Sequence, residues 1–182
     1  MNEFSFASNH TKLFLNKVYN AHHYGSVLWD LCGKEANMVY NTWNVSVRRM
    51  LRLDRRTHRH LIEPLSGMQH VKKTIFKAFM SFTRKLESSA KTSIREVYVT
   101  VKDDCRSVTG ANLCRVTIEC AVNPSRPYSE VSVEKKQFFP IPPDSQWKIS
   151  MVKELIEMRD NDNDIVWNKK EISDTLEYLC TS

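Results

Sequence analysis

The sequence predicts an all-α protein: a helical bundle over residues 1–122, a proline-rich linker over 123–144 and two C-terminal helices over 145–182. Three observations lead there. Apolar side chains recur at three- and four-residue steps through most of the chain, the period of a helix with one buried face. Only four glycines occur in 182 residues, and five of the six prolines fall between 123 and 144. A hydrophobic fraction of 41% gives this length enough apolar surface for one compact domain or two small ones.

The first helix is expected to begin near Thr11, capped by Ser8 or Asn9, with Leu13, Leu15, Val18, Tyr19, Tyr24, Leu28 and Leu31 on one face. Gly25 sits inside that pattern, where glycine costs about 1 kcal/mol against alanine, and so marks a kink or a close helix contact. After Gly33 a second helix is predicted over 35–51. It buries Ala36, Val39, Tyr40, Trp43, Val47, Met50 and Leu51 and leaves Arg48, Arg49 and Arg52 around the rim. Thr57 is the expected N-cap of a short helix that Pro64 and Gly67 interrupt.

A long helix over 69–87 turns Val71, Ile75, Phe79, Phe82 and Leu86 inward, with Lys72, Lys73, Lys77, Arg84 and Lys85 on its other faces. Residues 94–101 fit two periods: Val97, Val99 and Val101 alternate as in a strand, while Ile94, Val97, Tyr98 and Val101 step as in a helix. Their helical flanks favour the helix. Thr109 then caps a helix over 112–119. The stretch 123–144 reads as an extended, tethered connection. Beyond it, Ser145 opens a helix burying Ile149, Val152, Leu155, Ile156 and Met158, and a final helix over 170–180 buries Ile172, Leu176 and Leu179.

The net charge of +6 is unevenly spread. Through Arg95 there are 16 Lys and Arg against 6 Asp and Glu; the remainder has 11 against 15. A basic half of this kind is a candidate nucleic-acid footprint. Its densest part is Arg48, Arg49, Arg52, Arg55, Arg56 and Arg59, six guanidinium groups within twelve residues. Arginine forks match phosphate and neutralise backbone charge, which suits a duplex or structured RNA. Lys72, Lys73 and Lys77 form a second line. The plainer alternative is a solvated face, with the last arginines of the second helix complementing its dipole. Tyr24, Trp29, Tyr40 and Trp43 are expected in the core rather than stacked on bases.

Other chemistries lack their residues. No apolar run reaches the roughly 20 residues of a membrane span, and the first ten residues carry no signal-peptide core, so a soluble intracellular protein of cytoplasm or nucleus is expected. Cys32, Cys105, Cys114, Cys120 and Cys180 are scattered and odd in number, which suits small buried apolar side chains. His58, His60 and His70 have no ligand spacing for zinc. The run Asp160, Asp162, Asp164 lacks the glycine at the sixth position of a calcium loop. No serine sits in a nucleophile elbow. No metal, cofactor or catalytic residue is expected.

Three stretches carry a resemblance. Tyr24, Gly25, Ser26, Leu28, Trp29, then Trp43, Arg48, Arg49, Leu51, Leu53, Arg56, Thr57 and His58 follow the order and spacing found just downstream of the polymerase palm in reverse transcriptases of non-LTR (LINE-type) retrotransposons. Arg106, Ser107, Thr109, Gly110, Asn112 and Leu113 resemble a motif further along such elements. Pro140, Ile141 and Pro142, followed by Trp147, Lys148 and Ile149 and by the ending Tyr178, Leu179, Cys180, Thr181, Ser182, resemble their C-terminal end.

The resemblance implies a thumb and its downstream extension, a thumb-like bundle holding an RNA–DNA hybrid or structured RNA beside an upstream polymerase palm. The cysteine-histidine knuckle that some of these polymerases carry near their C-terminus is absent. In such polymerases paired aspartates of the palm hold the two metal ions of catalysis. Asp103 and Asp104, the only Asp-Asp pair here, lie after the thumb-like segment and read as a helix end, so this chain alone is expected to have no polymerase activity. The competing expectation is a helical protein-interaction module or an inactive retroelement remnant with no nucleic-acid role.

Overall fold

The computed structural model describes residues 25–120, 131–133, 138–160 and 169–181. Seven α-helices and no strand occur among them. They are α1 (Lys34–Met50), α2 (Arg59–Ser66), α3 (Val71–Glu87), α4 (Thr92–Lys102), α5 (Val108–Cys120), α6 (Gln146–Asp160) and α7 (Lys169–Thr181). Short 3₁₀ turns cover Ser26–Leu28 and Pro143–Ser145. The all-α expectation is met. The helix expected to begin near Thr11 lies largely outside the described residues, as do most of the expected linker and the acidic run 162–164.

Compact packing groups the residues differently from their order along the chain. One unit comprises the described residues of 41–69 and 139–182; the other comprises those of 19–40 and 70–138. The sequential division at 122 and 145 is therefore not the division by packing. Val131 and Val133, within the expected linker, are buried, and Phe138 meets Phe76 edge-on at 5.3 Å in the second unit. Helix α1 contributes its first turns to the second unit and the rest to the first.

In the first unit α2 packs on α6 and α6 on α7. The α1 residues Trp43 and Val47, with Leu51 just beyond it, are fully buried, as are Leu61, Ile62 and Leu65 of α2. Burying side chains of this size is worth about 1.5–3 kcal/mol each. Helix α6 buries Ile149, Val152, Leu155 and Ile156, and α7 buries Ile172, Leu176, Leu179 and Cys180. Met158, expected inward, is exposed. Pro64 does not break α2, whose end is set by Gly67 at φ 64°, donating its N–H to Glu63 O. His58 rather than Thr57 precedes the helix, and Thr57 is buried with its hydroxyl donating to Asp54 O at 2.7 Å.

The second unit stacks the Ser26–Leu28 turn on α3, α3 on α4 and α4 on α5. Gly25 does not sit within a helix: at φ 83° it is the left-handed residue that starts a tight turn. That turn carries Leu28 outward, 70% exposed, while Leu31 is fully buried. The core face of α3 is Val71, Ile75, Phe76, Phe79, Met80 and Thr83. Phe82 and Leu86 are only half-buried, because Phe76 and Met80 widen the apolar stripe on the other side. The stretch 94–101 is helical, yet Tyr98 is its only buried residue and Val97 is 64% exposed.

Helix α5 starts earlier than expected. Ser107, not Thr109, is its cap: the Ser107 hydroxyl accepts the Gly110 N–H at 2.9 Å and donates to Val101 O at 2.7 Å. The Asn112 side chain donates to Trp29 O at 2.7 Å and accepts the Leu31 N–H at 2.9 Å, and Tyr40 donates to Leu31 O. Ser107, Gly110, Asn112 and the buried Leu113 thus join the second motif stretch to the first, and folding alone accounts for them. Asp103 follows the last residue of α4 and Asp104 Oδ1 accepts the Arg106 N–H, so this pair is a helix end as expected.

Candidate nucleic-acid interface

All six arginines of the dense cluster belong to the first unit, in and around the turn 51–58. The turn begins where α1 stops. Arg52 has φ 51°, its N–H donates to Arg49 O at 3.1 Å, and the Leu53 N–H donates to Arg48 O at 2.9 Å. This pair of bonds is a Schellman ending with an arginine in the left-handed position that glycine usually fills. A left-handed residue other than glycine costs roughly 1–2 kcal/mol.

Asp54 shapes the next three residues. Its carboxylate accepts the Arg56 N–H at 2.6 Å and its carbonyl accepts the Thr57 N–H at 3.1 Å. Arg55 and Arg56 are the two corner residues of that turn, and both are exposed. Three ties fix the turn within the unit. Arg48 donates from Nε and Nη2 to Thr57 O at 3.1 and 2.7 Å. Arg159 of α6 donates to Arg52 O at 2.9 Å and to Leu51 O at 3.0 Å. The His58 N–H donates to Cys180 O at 2.9 Å, and His58 Nε2 lies 3.1 Å from Thr181 O, closing the end of α7.

The six arginines therefore divide. Arg48 is half-buried and spent on Thr57; burial, then the neighbouring Arg59, lowers its pKa, with Asp54 opposing. Arg59 is exposed and reaches Asn41 Oδ1 only at 3.4 Å. Arg52 is exposed on the strained position. The guanidinium groups of Arg49, Arg55 and Arg56 are exposed and make no hydrogen bond or ion pair with the described residues. They stand near the carbonyl end of α1, where cations are favoured.

Lys72, Lys73 and Lys77 lie in the other unit, on α3. Lys72 is committed there: its ammonium pairs with Glu119 and lies 5.0, 5.2 and 5.8 Å from the ring centroids of Phe138, Phe76 and Tyr40. That is a cation held by three rings and a carboxylate. Lys73 and Lys77 are half-buried. Of the aromatic residues expected in the core, Tyr40 and Trp43 are buried and Trp29 is half-buried; Tyr24 lies outside the described residues.

Beside the arginine turn is an open cleft of about 290 Å³ whose lining includes Arg52, Asp54, Arg159, Ser173, Glu177 and Cys180. Its charges are mixed. Burial pushes the Cys180 thiol up to about 11, so it stays protonated. Cys105 is exposed and Cys32, Cys114 and Cys120 are half-buried, so the buried-thiol expectation holds for Cys180 alone. His58 and His60 stack at 5.4 Å and 15°, and His70 is a buried cap, its Nδ1 accepting the Lys72 N–H. Among the described residues no His, Cys, Asp and Glu side chains gather as a metal site, and no helix is long and apolar enough to cross a membrane.

Arg159 was not legible as part of this turn. It is one cation near the end of α6, more than a hundred residues from the carbonyls it holds, and nothing local in the sequence signals the pairing. Compared with known proteins, the chain matches no family model, no curated protein and no solved structure.

Proposed function

We propose that this chain acts as the thumb-like, non-catalytic C-terminal part of a retrotransposon-type RNA-directed DNA polymerase, gripping template–primer nucleic acid through the arginine turn. One observation carries the reading: Arg49 at the end of α1 and Arg55 and Arg56 on a turn tied to its own unit at three places carry guanidinium groups that make no hydrogen bond or ion pair with the described residues. A fixed turn bearing unspent guanidiniums holds a phosphate backbone at little ordering cost and with little sequence readout. An RNA–DNA hybrid or structured RNA is the ligand, recognised through backbone and shape. Arg52 and Arg59 flank the grip. Arg48 and Lys72 drop out of the contact set because each is already bound.

The resemblance in the sequence supplies the polymerase context, with an upstream palm as the partner that would bring catalytic aspartates. The test is binding of the purified chain to a labelled RNA–DNA hybrid across a salt series, beside the variant Arg49→Ala/Arg55→Ala/Arg56→Ala. Wild type should weaken steeply with salt, and the variant should bind more weakly with a salt slope lower by about 2–3, one unit for each phosphate no longer neutralised. Wild type that stays folded yet ignores the hybrid at low salt would leave the exposed valines of α4 as the better lead, and a protein partner as the better reading.

A further inference from the structure

We infer that Arg159 of α6 is a positioning residue for the arginine turn, holding Arg49, Arg55 and Arg56 in a binding-ready arrangement without itself touching the ligand. The inference rests on the polyanion-binding reading above.

The end of a helix leaves its last carbonyls without partners. At the end of α1 the Schellman bonds use Arg48 O and Arg49 O. Just past the helix, Leu51 O and Arg52 O each accept one Nη of Arg159, at 3.0 and 2.9 Å. A guanidinium spans two successive carbonyls with donors fixed in one plane, a geometry that the rotating donors of an ammonium do not hold. The carbonyls it spans belong to the left-handed residue and the residue before it, the point where the backbone is most costly to hold.

The rest of the turn depends on that point. Arg52 in the left-handed region reverses the chain, the reversal delivers Asp54, and Asp54 sets Arg55 and Arg56 at the corner. The far end is tied to α7 through His58 and Cys180 O, and the middle to α1 through Arg48 and Thr57 O. Of these three ties only the Arg159 one acts at the left-handed residue, where it adds to the two Schellman bonds. Without it the strained turn is held by its two backbone bonds and opens more often, and the corner arginines keep their charge but lose their fixed direction.

The experiment uses the full chain, with amide hydrogen exchange and RNA–DNA hybrid binding measured on Arg159→Gln, Arg159→Lys, Arg52→Gly and the double variant Arg52→Gly/Arg159→Gln. With α2 and α7 protection unchanged as the control for folding of the first unit, Arg159→Gln should speed exchange of the Arg52 and Leu53 amides about tenfold or more and weaken hybrid binding by a similar factor. Arg159→Lys should not restore either, since charge without the fork is insufficient. A phosphate-contacting Arg159 would instead be largely rescued by lysine. Glycine adopts the left-handed conformation without strain, so in the Arg52→Gly background the further change at 159 should cost much less in both readouts.

Unchanged Arg52 and Leu53 exchange in Arg159→Gln overturns the inference, as does faster exchange with undiminished hybrid binding. Wild type that fails to bind the hybrid overturns the proposed function instead. In that case amide exchange alone decides whether Arg159 holds the turn.

Discussion

At the scale of single residues, neighbours that read alike in the sequence have different work. Arg48 and Arg49 are adjacent cations at the end of one helix; the first is drawn inward onto Thr57 O and the second faces water. Lys72 and Lys73 differ in the same way, because Lys72 is caught between Glu119 and three rings. Density of charge was legible from the sequence; which charges the fold consumes was not, since their partners are distant in the chain. His60 shows how such placement becomes measurable. Burial, then the neighbouring His58 and Lys148, holds its pKa below the usual 6.5. The unfolded ring therefore takes up a proton at higher pH than the folded one, and in that window acid favours unfolding. Stability from this group is complete above about pH 6.5 and is lost as pH falls through the lower, folded value. The midpoint of thermal unfolding should drop between about pH 7.5 and 5.5, and His60→Gln should flatten that part of the profile. An unchanged profile in the variant would assign the acid sensitivity to other groups.

At the scale of elements, helices were legible because their signal is local. The three- and four-residue steps over 35–51 and 69–87, from 145 and over 170–180 depend only on which side chains face inward, and all four stretches form helices, although Phe82 and Leu86 are half-buried and Met158 is exposed. Ends and orientations were less legible because distant backbone sets them. The start of α5 turns on Ser107 and Gly110, and the reason is steric. A Cβ on Gly110 would sit 2.7 Å from Val101 O and against Asp104 O, both backbone atoms at the end of α4 that cannot swing aside. Intrinsic propensity predicts the opposite of packing here, since alanine is the better helix former by about 1 kcal/mol. Packing should win: Gly110→Ala is expected to destabilise the second unit by about 3 kcal/mol, because α4 and α5 must part to admit the methyl group. The urea midpoint followed by circular dichroism measures it. A variant as stable as wild type would mean that the α4–α5 connection yields easily and that Gly110 is not needed for packing.

At the scale of the whole molecule, order along the chain and order in space diverge. From the sequence, the bundle over 1–122 is one part and the last two helices, beyond a linker, are a separate pair able to dock back on it. In the structure α2, with Leu61, Ile62 and Leu65 buried, packs on a helix that begins at Gln146, while Val131, Val133 and Phe138 belong to the same unit as α3. Proline spacing signalled a boundary but could not reveal that the chain crosses it and returns. The two arrangements predict different behaviour for a fragment of residues 1–138, which keeps every described residue of the second unit and deletes α6 and α7. A self-contained bundle would keep α2 and α3 equally protected from amide exchange. Under the packing arrangement, α2 loses its partner, an eight-residue helix is far too short to persist alone, and the arginine turn loses both Arg159 and the α7 carbonyls that tie His58. The amides of α2 and of Arg52 and Leu53 should therefore exchange at nearly unfolded rates in the fragment while those of α3 stay protected. Protection surviving in α2 would show that the C-terminal helices are dispensable to it. Protection lost in α3 as well would show that the second unit cannot fold without the first.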